Sequence, residues 1–430
     1  MILIIYTTAY RKGSDMFARV ANTMYEEIKQ RYTGEIICRG IFGKKNLTEL
    51  FCVITEQDKQ IDEYHFIGHS GMYGPMYGTT AYPEQYSPYE LRKLVIPFSA
   101  NAKAYFHCCR SARWFAPFFS EQFKVETFGY YWYTTFSSDK KKYKRVRNNS
   151  ESVYAAGCIG KKSHGLIGSL KKYSKLLDME LMLSFKPREE IADTTYNKVA
   201  DLYDKVFQDI KIRKDEWNWI CKHFPEGKNI AVADIGCGNG ALLKEIAPRI
   251  KVGMGFDTSA NIIESAIKLN KDNSNISFQL INGPSLPIEE QSIDLIISLL
   301  SFRYLDWDPL MEEIKRVLKP DGKILIIDMV TVPAKWHEFP MLLKSKISQY
   351  VQRFINPIFY KNLTQLVTDP AWNNMLKHNP IRSEHEMKWY LESRFPNKKV
   401  EKINIGWNSC ILAFDSGNIE SIKDINLTYP

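Results

Sequence analysis

The sequence predicts an α/β protein made of two domains that follow each other along the chain. Short apolar segments typical of buried strands alternate with amphipathic helical segments, first from Met1 to about Cys158 and again after Pro187. This alternation is typical of mostly parallel sheets with crossover helices. The length of 430 residues is too great for one ordinary core, which also favours two domains.

The composition is that of a globular protein, with 44% hydrophobic and 25% charged residues. The net charge of +9 weakly favours acidic partners, and much of it lies in the run Lys140–Arg147. That run could bind a phosphate group, a nucleic acid or an anionic membrane, or it could be a solvated loop. We favour the loop because the run contains only one interleaved aromatic residue and has no recognisable binding fold around it, and we therefore expect no nucleic-acid partner.

No segment reaches the 18 or so apolar residues of a membrane-spanning helix, and Met1–Ile5 is too short for a signal peptide. We expect a buried first strand there and no membrane partner. The eight cysteines are scattered without a C-x-x-C pair, which argues against a metal site and favours a reduced, cytoplasmic protein. The oligomeric state stays open, with a homodimer as one option.

The first predicted domain, residues 1–160, alternates strands and helices, and a connector of residues 161–187 follows it. In the connector, Ser169–Phe185 has the pattern of an amphipathic helix, and Pro187 marks the boundary. The predicted strands and helices of the first domain are Ile2–Tyr6, Asp15–Arg31, Glu35–Cys38, Glu63–Gly68, Tyr89–Val95, Ala104–Cys108 and Thr127–Tyr133, of which Asp15–Arg31 and Tyr89–Val95 are the helices.

The second predicted domain, residues 188–430, starts with helices and continues as alternating strands and helices. A glycine-rich turn joins its first strand to a helix between Asn229 and Pro248, and residues 331–397 form a helical insertion rich in aromatic residues. The other predicted helices are Asn197–Phe207, Glu216–His223, Asn261–Leu269 and Pro309–Val317. The other predicted strands are Lys251–Phe256, Asn275–Ile281, Ile293–Leu299, Lys323–Asp328, Lys399–Ile405 and Ser409–Phe414, the last two as a hairpin.

The central motif of this domain is Asp234-Ile235-Gly236-Cys237-Gly238-Asn239-Gly240, at the turn from strand to helix. Glycines there allow the backbone to approach a ligand, and the free N–H groups of the next helix suit an acidic group. Asp257, at the end of the second strand, could accept hydrogen bonds from ribose hydroxyls. These features alone also fit a dinucleotide site, since Gly236-x-Gly238-x-x-Ala241 matches a variant of that fingerprint.

The surrounding segments distinguish the two interpretations. Asp234 stands two residues before the first glycine, and Leu286–Ser298, Arg316–Asp328 and a terminal hairpin follow in order. With these motifs, residues 190 to 415 resemble the class I S-adenosylmethionine-dependent methyltransferases. The resemblance implies a Rossmann-like sheet of seven strands, parallel except for one, an S-adenosylmethionine cofactor, and a transferase acting on a small molecule or a peptide.

The resemblance also implies a set of cofactor-binding residues, which follow one another along the chain. These are the lid residues Tyr196 and Tyr203, then Asp234, Gly236, Cys237, Gly238 and Gly240, then Asp257 and Thr258, then Gly283 and Pro284, and finally Ser298 and Leu299 beside the methyl group. Asn282-Gly283-Pro284-Ser285 departs from the more usual Gly-Asp pair at the adenine.

Methyl transfer mainly requires that the acceptor be aligned with the activated methyl group, and a general base is needed only for some acceptors. Candidate bases are Tyr304, His337 and His385. The aromatic residues of the insertion could line an apolar acceptor pocket or form an ordinary helical core. They are Trp336, Phe339, Tyr350, Phe354, Phe359, Tyr360, Trp372, Trp389 and Tyr390.

Two predicted strands of the first domain end in polar turns, His69-Ser70-Gly71 and Cys109-Arg110-Ser111. In a parallel sheet both turns lie at one edge, where a thiolate–imidazole pair could form. With these motifs, residues 1–160 resemble the caspase-like cysteine peptidases. The resemblance implies His69 as general base and Cys109 as nucleophile, with Cys108 as the adjacent alternative, although Ser70 departs from the glycine usual after the histidine. Arg110 or Arg113 could bind an acidic group of a substrate.

Three functions stay open at this point. The first is a methyltransferase whose N-terminal domain helps to hold the acceptor. The second is a bifunctional enzyme that matures a peptide by cleavage at the His69/Cys109 pair and by methylation. The third is a ligand-binding sensor without catalysis. The acceptor and the methylated atom are not specified by the sequence.

Overall fold

The computed structural model describes residues 1–136, 155–158, 179–188, 196–227 and 229–419. The chain divides into two compact units, Met1–Ile191 and Ala192–Pro430. The basic run Lys140–Arg147 and the first part of the predicted connector helix lie outside the described residues.

The N-terminal unit is built on a six-stranded sheet with the order β6-β5-β4-β3-β1-β2. Strand β6 pairs antiparallel with β5, and the other described pairs are parallel. The strands are β1 (Ile2–Thr7), β2 (Ile36–Ile41), β3 (Ile61–Ile67), β4 (Phe98–His107), β5 (Glu126–Gly129) and β6 (Leu183–Phe185). The helices are α1 (Ser14–Lys29), α2 (Lys44–Glu56), α3 (Pro88–Lys93) and α4 (Phe115–Phe123).

The apolar strand β1 is buried on both faces of this sheet. Successive side chains of a strand point to opposite faces, so one strand can contribute to two cores. Ile2 and Ile4 pack with α1, and Leu3 and Ile5 belong to the core that includes α2 and α4. The continuous apolar sequence predicted for a buried strand is explained by this double burial.

The predicted connector helix Ser169–Phe185 is wrong over its described part. Met179–Glu180 and Leu183–Phe185 are strands, and β6 forms the edge of the main sheet through the pairs Ser184↔Phe128 and Phe185↔Thr127. Ser120 Oγ also donates a hydrogen bond to the Phe185 carbonyl oxygen at 3.0 Å. Without β6, the backbone N–H and C=O groups along the free edge of β5 would lack hydrogen-bond partners. Only an extended segment can supply these partners, so a strand forms despite a side-chain pattern typical of a helix.

The predicted strand Thr127–Tyr133 is two strands rather than one. The main-sheet strand ends at Gly129, and Tyr133–Phe136 pairs with Ala155–Cys158, which in turn pairs with Met179–Glu180. The chain changes direction where the Tyr130 backbone N–H donates to Ser111 Oγ at 3.1 Å. Two short strand pairs follow β3: Ser70–Gly71 with Gly74–Pro75, and Tyr77–Gly78 with Pro83–Glu84.

The C-terminal unit contains a seven-stranded sheet with helices on both faces. Its strands are β7 (Ala231–Ile235), β8 (Val252–Asp257), β9 (Ile276–Leu280), β10 (Ile293–Leu299), β11 (Leu318–Thr331), β12 (Glu401–Ile405) and β13 (Ser409–Asp415). Its α-helices are α5 (Ala200–Phe207), α6 (Lys214–His223), α7 (Ala241–Ile246), α8 (Ala260–Leu269), α9 (Trp307–Val317), α10 (Phe339–Ile355), α11 (Pro357–Thr368), α12 (Pro370–His378) and α13 (Glu384–Arg394). Short 3₁₀ turns occupy Asn197–Val199, Ile210–Ile212, Ala247–Arg249, Phe302–Tyr304 and Trp336–Glu338.

The order of this sheet is β9-β8-β7-β10-β11-β13-β12. Strand β13 is antiparallel to both neighbours, and the remaining described pairs are parallel. The chain runs outward from β7 to β8 and β9 and then crosses back to β10, so β7 and β10 form the switch point of the sheet. Ligands of open α/β sheets bind outside the carboxyl ends of the strands at this point.

Alternate residues of the central strands supply two cores. Ile235 and Ile326 face the layer that includes α9 and α13, whereas Val232 and Leu325 face the layer with α6 and α7. The predicted insertion is helical, as α10 to α13. Among the described residues, no helix combines the length and the apolar character needed to cross a membrane.

Candidate active site

Strand β7 ends in a tight turn whose three glycines all adopt positive φ. The φ values of Gly236, Gly238 and Gly240 are 74°, 54° and 73°, a region that strains residues with a Cβ atom. A Cβ atom on Gly236 would lie 2.3 Å from the Cβ of Ser301, and one on Gly240 would lie 2.5 Å from the ring of Phe278. Glycine is therefore required here by both conformation and packing.

Two carboxyl groups flank the turn, one buried (Asp234) and one half-buried (Asp257). Asp257, at the end of β8, accepts hydrogen bonds from the backbone N–H groups of Gly238 at 3.1 Å and Ser259 at 3.0 Å. Asp234 is 2% exposed, and its Oδ1 has no hydrogen-bond partner. Burial, with a smaller contribution from Asp257, raises the pKa of Asp234 to about 8. A pair of acidic groups, one of which has an oxygen without a hydrogen-bond partner, is suited to a positively charged ligand.

The N-terminal segment of the unit is fastened to the glycine turn and to the next helix by side-chain amides. Asn239 Nδ2, in the turn, donates to Asp204 Oδ1 on α5 at 2.8 Å. Asn197 Oδ1 accepts a hydrogen bond from Ser259 Oγ at 2.8 Å, at the start of α8. These contacts hold α5 over the carboxyl end of β7, where a lid would lie.

An aromatic cluster lies beside the turn. The ring centroid of Tyr196 is 5.7 Å from that of Tyr203, 6.3 Å from that of Tyr304 and 5.9 Å from that of Trp372. A Cβ atom on Gly238 would lie 3.1 Å from the Tyr203 hydroxyl oxygen. Burial raises the pKa of Tyr203 to about 12 and raises that of Tyr196 as well. Both hydroxyls therefore stay protonated and can donate hydrogen bonds to a ligand.

A buried ion pair borders the aromatic cluster. Arg303, just after β10, donates hydrogen bonds to Asp328 on β11 from both Nη1 and the backbone N–H. Burial alone would lower the pKa of Arg303, but the carboxylate of Asp328 raises it above its ordinary value, so the guanidinium stays charged. Its Cζ lies 4.5 Å from the ring centroid of Tyr304. The cluster is thus apolar on one side and cationic on the other.

The chain is similar to known methyltransferases over its C-terminal unit. The sequence profile of a family described as a methyltransferase domain matches residues 233–326. A demethylmenaquinone methyltransferase of Lactococcus lactis is 29% identical over 191 residues, which cover 42% of this chain and 73% of that protein. A demethylmenaquinone methyltransferase of Lactobacillus johnsonii is 29% identical over 242 residues, covering 53% and 94%. The crystal structure of YcgJ from Bacillus subtilis is similar at 21% identity and a TM-score of 0.28, covering 47% of this chain and 96% of that one.

The protein is an S-adenosylmethionine-dependent methyltransferase. The methyltransferase fold lies in the C-terminal unit, where the expected seven-stranded sheet, parallel except for one strand, is confirmed, and the cofactor is S-adenosylmethionine. The unpartnered Oδ1 of Asp234 fits this cofactor, because S-adenosylmethionine carries an ammonium and a sulfonium charge. When bound, the cofactor supplies an electrophilic methyl group.

The remaining residues that the resemblance assigns to the cofactor differ in their exposure and in their contacts. Thr258 is exposed directly after Asp257, and Gly283 has a φ of 105° next to the buried Pro284. Cys237 is buried in the turn. Ser298 Oγ donates to the Ile235 carbonyl oxygen at 3.1 Å and lies 2.8 Å from Ser301 Oγ, so this hydroxyl ties β10 to β7. Leu299 is half-buried at the end of β10.

The three candidate bases do not converge. Tyr304 belongs to the aromatic cluster, beside Tyr196 and Arg303. His337 is exposed in the 3₁₀ turn before α10. His385 is exposed on α13, where its ring packs edge-on against Trp389 with the centroids 4.6 Å apart. Of the three, Tyr304 is therefore the side chain next to the buried ion pair.

The aromatic residues of the insertion fall into groups that neither expectation describes fully. Trp372 joins the aromatic cluster, and the ring centroid of Phe359 lies 6.3 Å from that of Phe207 on the lid helix. Tyr390 is buried against Trp307. The expectation of a helical core is wrong for four others, which are exposed: Trp336 in the turn before α10, and Phe339, Tyr350 and Phe354 on α10, which buries a single leucine.

In the N-terminal unit, the turns that carry His69 and Cys109 follow the neighbouring parallel strands β3 and β4. Ser70 Oγ donates a hydrogen bond to the Cys109 carbonyl oxygen, which joins the two turns. His69 Nε2 lies 3.1 Å from the carbonyl oxygen of Lys12, so Nε2 carries the proton of this hydrogen bond. Cys109 Sγ lies 3.3 Å from Thr134 Oγ1 and accepts a hydrogen bond from the Thr134 backbone N–H.

The neighbouring thiol and two buried histidines complete this region. Burial raises the pKa of Cys108, which disfavours the thiolate that a nucleophile requires. His65 Nδ1 lies 3.2 Å from His107 Nε2, and His65 Nε2 lies 3.3 Å from Glu63 Oε2. Burial lowers the pKa of both histidines, so both rings are neutral. In the part of the chain that the structure describes, no group of three or more acidic, histidine or cysteine residues is arranged to hold a metal ion.

Sequence reasoning did not single out Arg303, Asp328 or the histidine pair. Arg303 lies four residues beyond Leu299, which was expected beside the methyl group, and Asp328 ends a predicted strand, but nothing in the sequence indicated that the two side chains pair. Leu300 was also missed: its φ of 57° is unusual for a residue with a branched side chain and lies where β10 enters the site.

Proposed function

We propose that the protein methylates a small, largely apolar aromatic acceptor that carries an acidic hydroxyl group, of the demethylmenaquinol kind. The observation that carries the proposal is the aromatic cluster of Tyr196, Tyr203, Tyr304 and Trp372 beside the charged Arg303. Flat rings would pack an aromatic acceptor, and a guanidinium would favour its ionised oxygen. The two demethylmenaquinone methyltransferases that resemble the chain support this acceptor class.

In this proposal the residues of the turn and lid bind the cofactor, and the cluster aligns the acceptor ring. Asp234, Gly238 and Asp257 would hold the cofactor, and Asn239 would keep α5 closed over it. Arg303 would stabilise the acceptor as an oxyanion, which raises the electron density at the ring carbon or oxygen that attacks the methyl group. The hydroxyl proton is lost to solvent before transfer; as the new bond forms, the bond from methyl to sulfur breaks with its electron pair remaining on sulfur, and after attack by a ring carbon the hydrogen on that carbon leaves as a proton to solvent.

The test is transfer of a radiolabelled methyl group from S-adenosylmethionine by the full-length protein. We expect label in the organic extract with a demethylmenaquinol and none in a peptide pool. Trp372→Leu should lower kcat/KM by about 10-fold, which is about 1.4 kcal/mol of transition-state stabilisation. The matched control Trp407→Leu, at an exposed tryptophan, should leave it unchanged. Label in the peptides but not in the quinol would overturn the acceptor class.

We also propose that the N-terminal unit is a caspase-like domain that assists acceptor binding. Its support is the placement of His69 and Cys109 after adjacent parallel strands, together with the engagement of Nε2 by Lys12 and of Sγ by Thr134. A bifunctional enzyme would instead cleave fluorogenic peptides in a manner lost in Cys109→Ala. A sensor would bind the cofactor without multiple turnovers.

A further inference from the structure

Helix α10 carries a continuous row of large apolar side chains on its exposed side. The row consists of Phe339, Leu343, Ile347, Tyr350 and Phe354, which are 52%, 54%, 57%, 64% and 73% exposed. Their spacing of three and four residues places them on one face of the helix. We call this row the apolar stripe. Such a surface is unusual, because exposed apolar residues in a monomeric protein are normally scattered.

The apolar stripe points away from the body of the C-terminal unit. The opposite side of α10 carries Leu342, which is 2% exposed, and Ser345, whose hydroxyl donates to Asn404 Oδ1 on β12 at 2.7 Å. These two residues attach the helix to the sheet. The amphipathic pattern of α10 therefore cannot be explained by packing of the stripe against its own sheet.

Basic residues border the stripe and acidic residues are absent from it. The sequence from Phe339 to Thr368, which forms α10 and α11, contains Lys344, Lys346, Arg353 and Lys361 but no aspartate or glutamate. All four cations are exposed. In the turn just before α10, Trp336 is 95% exposed, and its ring suits the boundary between headgroups and acyl chains.

We propose that the apolar stripe is an interfacial helix that docks the methyltransferase on an anionic phospholipid surface. The stripe would enter the boundary of the acyl chains, while Lys344, Lys346 and Arg353 would pair with phosphate groups. Helices that lie on membranes combine an aromatic and aliphatic face with flanking lysine and arginine in this way. The inference stands apart from the proposed acceptor, since it rests on the outer surface of the insertion.

The charges favour a membrane over a second copy of the chain. A symmetric dimer through the apolar stripe would place the basic borders of two copies against each other, and no acidic residue of α10 or α11 could compensate them. The sequence-based expectation of no membrane partner rested on the lack of a spanning segment. An interfacial helix does not span, so the proposal departs from that expectation without requiring such a segment.

The experiment is flotation of the full-length protein with vesicles of phosphatidylcholine alone or mixed equally with phosphatidylglycerol. We expect binding to the anionic vesicles to be at least about 10-fold stronger at low salt and to weaken as salt rises. Two triple variants should each lose about 10-fold or more, F339S/I347S/F354S through the stripe and K344Q/K346Q/R353Q through its borders. Val95→Ser, at an exposed valine of the N-terminal unit, is the control and should bind normally.

A second measurement does not depend on the folding of these variants. Brominated lipids should quench part of the tryptophan fluorescence of the wild type, and W336F should lose that part of the quenching. S-adenosylhomocysteine binding checks that each variant is folded. Equal binding to neutral and anionic vesicles, no binding to either, or a stripe-dependent dimer in solution would each overturn the proposal.

Discussion

Asp234 offers a test of how the cofactor site is built, because its buried carboxyl group is costly when the site holds no cation. Burial and Asp257 raise its pKa from 3.8 to about 8. Between these values the unfolded chain is ionised at this position while the folded chain keeps the proton. The folded unit then binds more protons than the unfolded one, so its stability falls as pH rises through this window.

The magnitude follows from the width of the window. Each pH unit inside it costs about 1.36 kcal/mol, so a change from pH 5 to pH 7.5 removes roughly 3 kcal/mol from the stability of the wild-type unit. For a domain of this size that corresponds to a fall in Tm of roughly 6–12 °C. Asp234→Asn cannot ionise and should not show this component, so it should be the more stable protein at pH 7.5.

The assay is differential scanning calorimetry at pH 5 and pH 7.5, with the C-terminal transition identified as the one that S-adenosylhomocysteine shifts. Titration of S-adenosylmethionine should give a Kd at least about 10-fold weaker for Asp234→Asn than for the wild type. Asp272→Asn, at an exposed aspartate, is the matched control and should follow the wild type in both measurements. The reasoning is refuted if Asp234→Asn keeps both the wild-type pH dependence and the wild-type affinity.

Three further predictions address the lid, the ion pair and the N-terminal thiol. Asn239→Ala removes the hydrogen bond to α5 and should weaken the binding of S-adenosylmethionine about 5-fold by calorimetry, whereas Asn374→Ala should leave that binding unchanged. Equal affinities of the two variants would contradict the lid assignment. Asp328→Asn should destabilise the C-terminal unit by about 3 kcal/mol or more in urea unfolding, because it leaves the buried Arg303 without its counter-ion, and an unchanged midpoint would argue against that pairing. Cys109→Ala should retain methyl transfer at the rate of Cys52→Ala, and a selective loss in Cys109→Ala would place the thiol in the reaction.

The methyltransferase sheet could be anticipated because its signals are local. The turn from β7 into α7 is specified by Gly236 to Gly240, whose glycines are needed for conformation and for packing. The strand that precedes them is apolar because it is covered on both faces. Motif order then gave the remaining strands, including the antiparallel β13.

The features that could not be predicted from the sequence depend on contacts between segments that lie far apart along the chain. Leu183–Phe185 has the side-chain pattern of a helix but forms β6, because the edge of β5 needs a backbone partner. Arg303 and Asp328 are 25 residues apart, and nothing local indicates that both are buried and paired. The aromatic residues of α10 were expected either to line a pocket or to form a core, and the sequence left both open because periodicity shows that a helix has an apolar face, not what that face contacts.

The electrostatics of the turn also resolve an ambiguity of the sequence. Gly236-x-Gly238-x-x-Ala241 fits a dinucleotide as well as S-adenosylmethionine, since both folds require a glycine turn before a helix. A dinucleotide would bring a pyrophosphate, with two negative charges, beside Asp234 and Asp257, whose pKa values are already raised by burial. Like charges in a buried site oppose each other strongly, whereas an ammonium or sulfonium group would relieve both carboxylates. The acidic residue before the first glycine therefore favours a positively charged ligand. The glycines allow a ligand to approach the backbone closely but do not discriminate between charges.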